Sequence, residues 1–209
     1  MHKGNTNPSI VYWLGNSIYL NITNRCSNSC YFCFRKHKNG IQEFNLKLEN
    51  EPTAEEVITE LQKIINRKNW KEVVFCGFGE PLERLDTVLE LTRHIKKQHG
   101  KTVRVDTNGQ GYLLNKGVDV IKELKKAGVD KLSVSLNASN KETYNEICKP
   151  ENEDAYESVI EFIKRAKKAD IETEATAVTV PEVNITKVKE LADSLGVKFE
   201  LREYIPFFW

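Results

Sequence analysis

Three of the five cysteines, Cys26, Cys30 and Cys33, fall within eight residues of one another in the stretch Asn24-Arg25-Cys26-Ser27-Asn28-Ser29-Cys30-Tyr31-Phe32-Cys33. The spacing C-x3-C-x2-C puts three thiolates on one compact loop. Such a loop can hold three irons of a four-iron cube and leave the fourth iron without a protein ligand. An open coordination position is what separates a reactive metal site from a closed structural one. The competing chemistry is a structural zinc ion, which needs a fourth ligand from His37, Cys76, Cys148 or water. The odd cysteine count and its clustering argue against a disulfide framework.

Four other short stretches carry groups suited to a ligand. Gly77-Phe78-Gly79-Glu80-Pro81 combines glycines, which let backbone approach closely, with Glu80, an acceptor for an ammonium group. The same string also reads as a turn before a helix, with Glu80 at the positive helix end. Asp106-Thr107-Asn108-Gly109 contains an Asn-Gly turn signal. Ser133-Val134-Ser135-Leu136-Asn137-Ala138 offers Ser135 and Asn137, which either face a ligand or satisfy local backbone groups. Val178-Thr179-Val180-Pro181 ends another apolar run. Arg35, Lys36, His37 and Lys38 follow the cysteine loop and either hold an anion or form a solvated face. Arg202 and Glu203 end the last apolar alternation.

These stretches need elements to position them. The 209-residue chain suits one domain with a single core, and its net charge of +1 does not indicate a surface built for long nucleic acid. Val11–Leu14 and Ser17–Ile22 read as strands joined by a Gly15-Asn16 hairpin turn. A long polar segment runs from His37 to Glu51. Thr53-Ala54-Glu55-Glu56 is a capping box that opens a helix with Val57, Ile58, Leu61, Ile64 and Ile65 on one face. Strands follow at Val73–Cys76, Val103–Val105, Leu132–Leu136, Ile171–Val180 and Val197–Leu201, with amphipathic helices between them.

Apart from the first hairpin strand, six strands alternate with helices, which implies parallel pairing with right-handed crossovers. Six units are too few to close an eight-unit barrel. The expected fold is α/β: a partial (β/α)6 TIM-like barrel with a curved, laterally open parallel sheet and an N-terminal β-hairpin extension. Every candidate stretch then falls at the C-terminal end of a strand, where such sheets place their functional loops. The domain is expected to fill residues 1–209, with a tail at 1–9 and an aromatic tail at 204–209.

The cysteine loop, including Phe32 before its third cysteine, resembles that of the radical SAM superfamily. In that superfamily S-adenosylmethionine (SAM) chelates the unique iron of a 4Fe–4S cluster. One electron then cleaves it to methionine and a 5′-deoxyadenosyl radical that abstracts hydrogen from a substrate. The Gly-Glu-Pro, Thr-Asn-Gly and Val-Ser-Leu strings resemble superfamily elements in the same order, with Phe78 in place of a glycine and Asn137 in place of an acid. The resemblance implies that Cys26, Cys30 and Cys33 hold the cluster. It implies SAM contacts from the backbone beside Phe32 and from Gly79, Glu80, Thr107, Ser135, Asn137 and Val180. Arg35 and Arg202 are candidate substrate contacts.

Longer strings, among them Asn21-Ile22-Thr23-Asn24-Arg25-Cys26, Phe75-Cys76-Gly77-Phe78-Gly79-Glu80-Pro81 and Cys148-Lys149-Pro150, are similar to the TatD family-associated radical SAM proteins. An external one-electron donor of flavodoxin or ferredoxin type is implied. So is a substrate or partner protein that closes the open side of the barrel, because a radical needs shielding from solvent. The alternatives are an activase that generates a radical on a partner enzyme, a non-catalytic zinc-binding protein, and a nucleic-acid accessory factor. No apolar run is long enough to cross a bilayer, and Met1-His2-Lys3-Gly4-Asn5 has no signal-peptide core, so the expected location is cytoplasmic.

Overall fold

A computed structural model describes residues 8–204. A seven-stranded sheet is formed by β1 (Val11–Leu14), β2 (Ser17–Leu20), β5 (Glu72–Phe75), β6 (Thr102–Thr107), β7 (Lys131–Ser135), β8 (Glu172–Val178) and β9 (Lys198–Arg202), in that spatial order. β1 pairs antiparallel with β2, and every later pairing is parallel. The crossovers contain α1 (Ala54–Ile65), α2 (Leu85–His99), α3 (Gly111–Leu114) with α4 (Val120–Ala127), α5 (Lys141–Cys148) with α6 (Ala155–Lys168), and α7 (Ile185–Ser194). The sheet is open, as the strand count requires.

The helices start and stop where side chains satisfy their end groups. Thr53 and Glu56 form the capping box of α1. Asn140 and Asn184 cap α5 and α7 by accepting from the backbone N–H of Thr143 and Lys187. Gly100 and Gly128 take the left-handed conformation that ends α2 and α4.

Successive strand residues point to opposite faces. Ile18, Leu20, Val73, Phe75, Val103, Val105, Leu132 and Val134 are buried in the main core beneath the helices. The other face carries Tyr19, Glu72, Arg104, Asp106, Ser133 and Glu174, with ion pairs from Arg104 to Glu72 (3.3 Å) and Asp106 (2.8 Å). A closed barrel fills its interior with branched apolar side chains. An open one keeps that face within reach of water, so charges are tolerated there.

Several expectations need correction. The polar segment from His37 to Glu51 contains a short hairpin of β3 (Gly40–Ile41) and β4 (Phe44–Asn45). Phe44, Leu46 and Leu48 are buried, and the first two join Tyr12 and Phe78 in a second small core. Strand bounds shift by one or two residues, as in β8. β9 is an edge strand along which burial fades: Val197 just before it is buried, Phe199 is half-buried and Leu201 is 51% exposed. Pro8 and Ser9 are not loose tail; Ser9 N–H donates to the Asn45 carbonyl at 2.6 Å. Of the aromatic tail only Tyr204 lies within the described residues. Among those residues no helix is long and apolar enough to cross a membrane.

Candidate cluster and cofactor site

The cysteine loop leaves the end of β2 and is held on both flanks. On the first, the buried Asn21 side chain donates to the carbonyls of Ser9 (3.0 Å) and Leu46 (2.8 Å) and accepts from Phe78 N–H (3.0 Å). Asn24 exchanges two hydrogen bonds with the backbone of Leu48. On the second flank, Ser29 N–H donates to the Cys148 carbonyl (3.0 Å), Tyr31 N–H to the Ile147 carbonyl (3.1 Å), and Glu151 N–H to the Ser27 carbonyl (2.9 Å). Asn28 accepts from Gln110 at 2.6 Å and donates to the Tyr144 hydroxyl at 3.2 Å.

The segment after β5 docks against the loop. Gly79 N–H donates to the Thr23 carbonyl at 2.9 Å and Glu80 N–H to the Arg25 carbonyl at 2.7 Å. A Cβ on Gly79 would stand 2.2 Å from the Arg25 carbonyl oxygen. Glycine is needed here for one backbone to pass another, before any ligand is considered. Phe78 is buried against Phe34, with centroids 5.8 Å apart in an edge-to-face arrangement, and Arg35 lies over its ring. Arg35 Nη1 also bridges the carbonyls of Asn24 (3.1 Å) and Phe78 (3.0 Å), tying the two loops together.

These contacts frame a cavity of about 600 Å³ lined by all three cysteines of the loop. Phe32, Gly79, Glu80, Thr107, Ser135, Asn137, Arg35 and Arg202 also line it, and with Val178 the ends of six parallel strands converge on one space. Val180 does not line it. The chain turns after β8 and buries Val180 in the main core, while Val178 faces the cavity. Sequence reasoning passed over Asn108 and Asp106 as lining residues, and weighed Cys76, which also lines the cavity, only as a fourth zinc ligand. Asn108 Nδ2 donates to Ser27 Oγ at 2.9 Å and lies 4.0 Å from Cys26 Sγ. Its position beside Thr107 was the available signal.

Glu80 is buried. Its carboxylate accepts from Thr107 Oγ1 (2.7 Å), Asn108 N–H (2.6 Å) and Leu82 N–H (3.1 Å). Burial nevertheless outweighs these bonds and raises its pKa from 4.5 to about 7. An ammonium group is the kind of partner that would restore its charge. Across the cavity, Arg202 Nη2 donates to Ser133 Oγ (3.0 Å) and pairs with Asp106 (3.5 Å). Burial, together with Asp106, pushes the Cys76 thiol up to about 12.

The cysteine loop fits an iron–sulfur cluster chemically. Burial, with Glu80 nearby, raises Cys26 to about 12, and burial raises Cys33. A hydrogen bond with Cys148, then burial, raises Cys30. Thiols held in this way become thiolates only when metal supplies the compensating charge. Among the described residues no three His, Cys, Asp or Glu side chains converge as a single ion requires. Three thiols around one cavity instead suit a cluster that takes one thiolate on each of three irons.

The family description "Radical SAM superfamily" matches residues 20–195. A probable GTP 3′,8-cyclase of Methanocaldococcus jannaschii is 30% identical over 193 residues, covering 91% of this chain and 59% of that protein. A probable GTP 3′,8-cyclase of Saccharolobus islandicus is 31% identical over 181 residues, covering 85% and 53%. The chain thus spans a little over half the length of these curated relatives. Among solved structures, Streptococcus suis SuiB bound to precursor peptide SuiA superposes with a TM-score of 0.70 at 17% identity, over 91% of this chain and 39% of that one. That likeness is one of fold. The family match spans the cysteine loop and the ends of β5, β6, β7 and β8 at the cavity, and on it the chain belongs to the radical SAM superfamily, whose members use a 4Fe–4S cluster and SAM.

Proposed function

We propose that this chain is a radical SAM enzyme in which Cys26, Cys30 and Cys33 each hold one iron of a 4Fe–4S cluster. The observation that carries the reading is the meeting of these three thiols with the Gly79–Glu80, Thr107 and Ser135–Asn137 strand ends around one cavity. Bound cluster and SAM supply one-electron cleavage of SAM and a 5′-deoxyadenosyl radical for hydrogen abstraction. The chain's own groups bind and orient. Glu80 receives the SAM ammonium, Thr107 and Ser135 offer hydroxyls to its ribose or carboxylate, and the backbone beside Phe32 meets the adenine. Val178 takes the place on the adenine face that the resemblance gives to Val180. Arg202 reaches for substrate from the opposite wall, while Arg35 serves as a clamp between loops.

Within the superfamily, the strings around Cys26, Gly79 and Cys148 favour the TatD-associated group. GTP, in the name of the curated relatives, is not transferred, because nearly half of each relative has no counterpart here. A flavodoxin- or ferredoxin-type donor delivers the electron, and a substrate or partner protein covers the open side. The free cysteines are in keeping with a reducing cytoplasm.

The test is anaerobic reconstitution followed by reductant and SAM. The expected result is about four irons with matching sulfide per chain and release of 5′-deoxyadenosine, abolished in Cys33→Ala. Zinc without iron, or equal release from the variant, would return the loop to a closed structural role.

A further inference from the structure

The cysteine loop leaves β2 and reaches the far side of the cavity mouth, where its tip meets the segments that follow β8 and β9. Tyr31, between the second and third cysteines, donates its hydroxyl proton to Glu182 Oε2 at 2.5 Å, a bond between residues 151 apart in the chain. Its ring packs edge-on against Phe32, with centroids 5.6 Å apart, and against Tyr204, at 6.4 Å. Tyr204 is tied back to the end of β8, since its N–H donates to Thr179 Oγ1 at 2.9 Å. Glu182 sits on a turn with a firm footing. Val180 and Val183 on either side of it are buried in the main core, and Val183 N–H donates to the Val180 carbonyl at 3.1 Å.

These contacts join two walls of one slot. The adenine position proposed above lies between the backbone beside Phe32 and Val178 at the end of β8, and both residues line the cavity. Phe32 follows Tyr31 directly, and Glu182 lies just past Val178 in the same connection to α7. The other bonds that hold the loop run elsewhere. Those of Asn21 and Asn24 reach Ser9, Leu46, Leu48 and Phe78, and the backbone bonds of Ser29 and Tyr31 reach the end of α5. None of these fixes the distance from the loop tip to β8, whereas the hydroxyl–carboxylate bond does. Walls linked before a ligand arrives spare that ligand the cost of ordering them.

We propose that Tyr31 and Glu182 are positioning residues whose hydrogen bond fixes the width of the slot between the cysteine loop and the end of β8, and so sets how tightly the protein holds the adenosine part of SAM. The proposal rests on the SAM reading given above. The role is separable from cluster ligation. Removing the Tyr31 hydroxyl leaves its ring between Phe32 and Tyr204 and leaves every backbone bond of the loop in place, so the slot loses its tie while the three cysteines keep their support.

The experiment is anaerobic equilibrium dialysis of radiolabelled SAM against the reconstituted protein, comparing wild type with Tyr31→Phe, Glu182→Ala, the double variant and Glu182→Gln. Phenylalanine keeps the ring without the donor, alanine removes the acceptor, and glutamine keeps one. Tyr31→Phe and Glu182→Ala are each expected to raise the Kd for SAM about threefold to tenfold, the share of one hydrogen bond. Iron and sulfide content, and the EPR signal of the reduced cluster without SAM, are expected to match wild type. The double variant is expected to bind within about twofold of the weaker single variant, because both changes break the same bond. Glu182→Gln is expected to bind more tightly than Glu182→Ala. Single variants with a full cluster and a wild-type Kd overturn the proposal, as do losses that multiply in the double variant or a glutamine no better than alanine. A variant that loses iron gives the pair a general role in holding the loop and overturns it too. All of these leave the SAM reading intact. A wild-type protein with a full cluster that binds no SAM overturns both.

Discussion

Replacing Gly79 by alanine tests whether the two loops of the site are locked together by backbone contact. The added Cβ would lie 2.2 Å from the Arg25 carbonyl oxygen and 2.7 Å from both the Asn24 carbonyl carbon and the Thr23 carbonyl oxygen. All three are backbone atoms, so no rotamer change relieves the overlap. Reaching ordinary contact requires the segments to part by roughly 1 Å. The bonds from Gly79 N–H to Thr23 and from Glu80 N–H to Arg25, now 2.9 and 2.7 Å, then exceed hydrogen-bonding range. Each buried group left unpaired costs about 1–3 kcal/mol, so the pair costs about 2–6 kcal/mol, a large share of a typical domain's stability.

Gly100→Ala is the control. Its φ of 58° is unfavourable for alanine, but nothing lies within 4 Å. Its expected cost is about 1–2 kcal/mol. Urea unfolding of both variants and iron content after reconstitution provide the assay. Gly79→Ala should unfold more easily and bind less iron. If it matches Gly100→Ala in stability and wild type in iron, the docking of these loops does not shape the site.

Two further outcomes follow from the same geometry. Unfolded Glu80 ionises near 4.5 but folded Glu80 only near 7, so between those values the folded apoprotein holds more protons. Its contribution is complete below pH 4.5 and is lost as pH rises to about 7, a fall of about 3 kcal/mol. Glu80→Gln removes this slope, and urea unfolding across the window reads it. A wild-type minus variant difference that is flat or grows with pH contradicts the assignment. Phe78→Gly, which restores the residue type of the superfamily pattern, removes the ring packed on Phe34 beneath Arg35. It is expected to destabilise by about 3–5 kcal/mol, measurable as a lower urea midpoint; an unchanged midpoint would refute the packing role.

The site was legible where its chemistry is local. The cysteine spacing and the three motifs at later strand ends each lie within a few residues, and strand–helix alternation places them on one rim. Features set by contacts far apart in sequence were not legible. The bridge from Arg35 to Asn24 and Phe78 depends on two loops meeting. The choice of Val178 over Val180 depends on where the chain turns after β8. The charged face around Arg104 and Asp106 depends on the sheet staying open. The hairpin at residues 40–45 did leave a trace, since Phe44, Leu46 and Leu48 alternate at a strand period. The many polar residues around them hid it.

The central claim is that one iron is left for SAM to occupy. EPR and electron–nuclear double resonance of the reduced, reconstituted protein, with SAM carrying a ¹⁵N-labelled amino group, tests it directly. A changed cluster signal with ¹⁵N coupling to the label is predicted. An intact cluster whose spectrum is the same with and without saturating SAM, and shows no coupling, would contradict it.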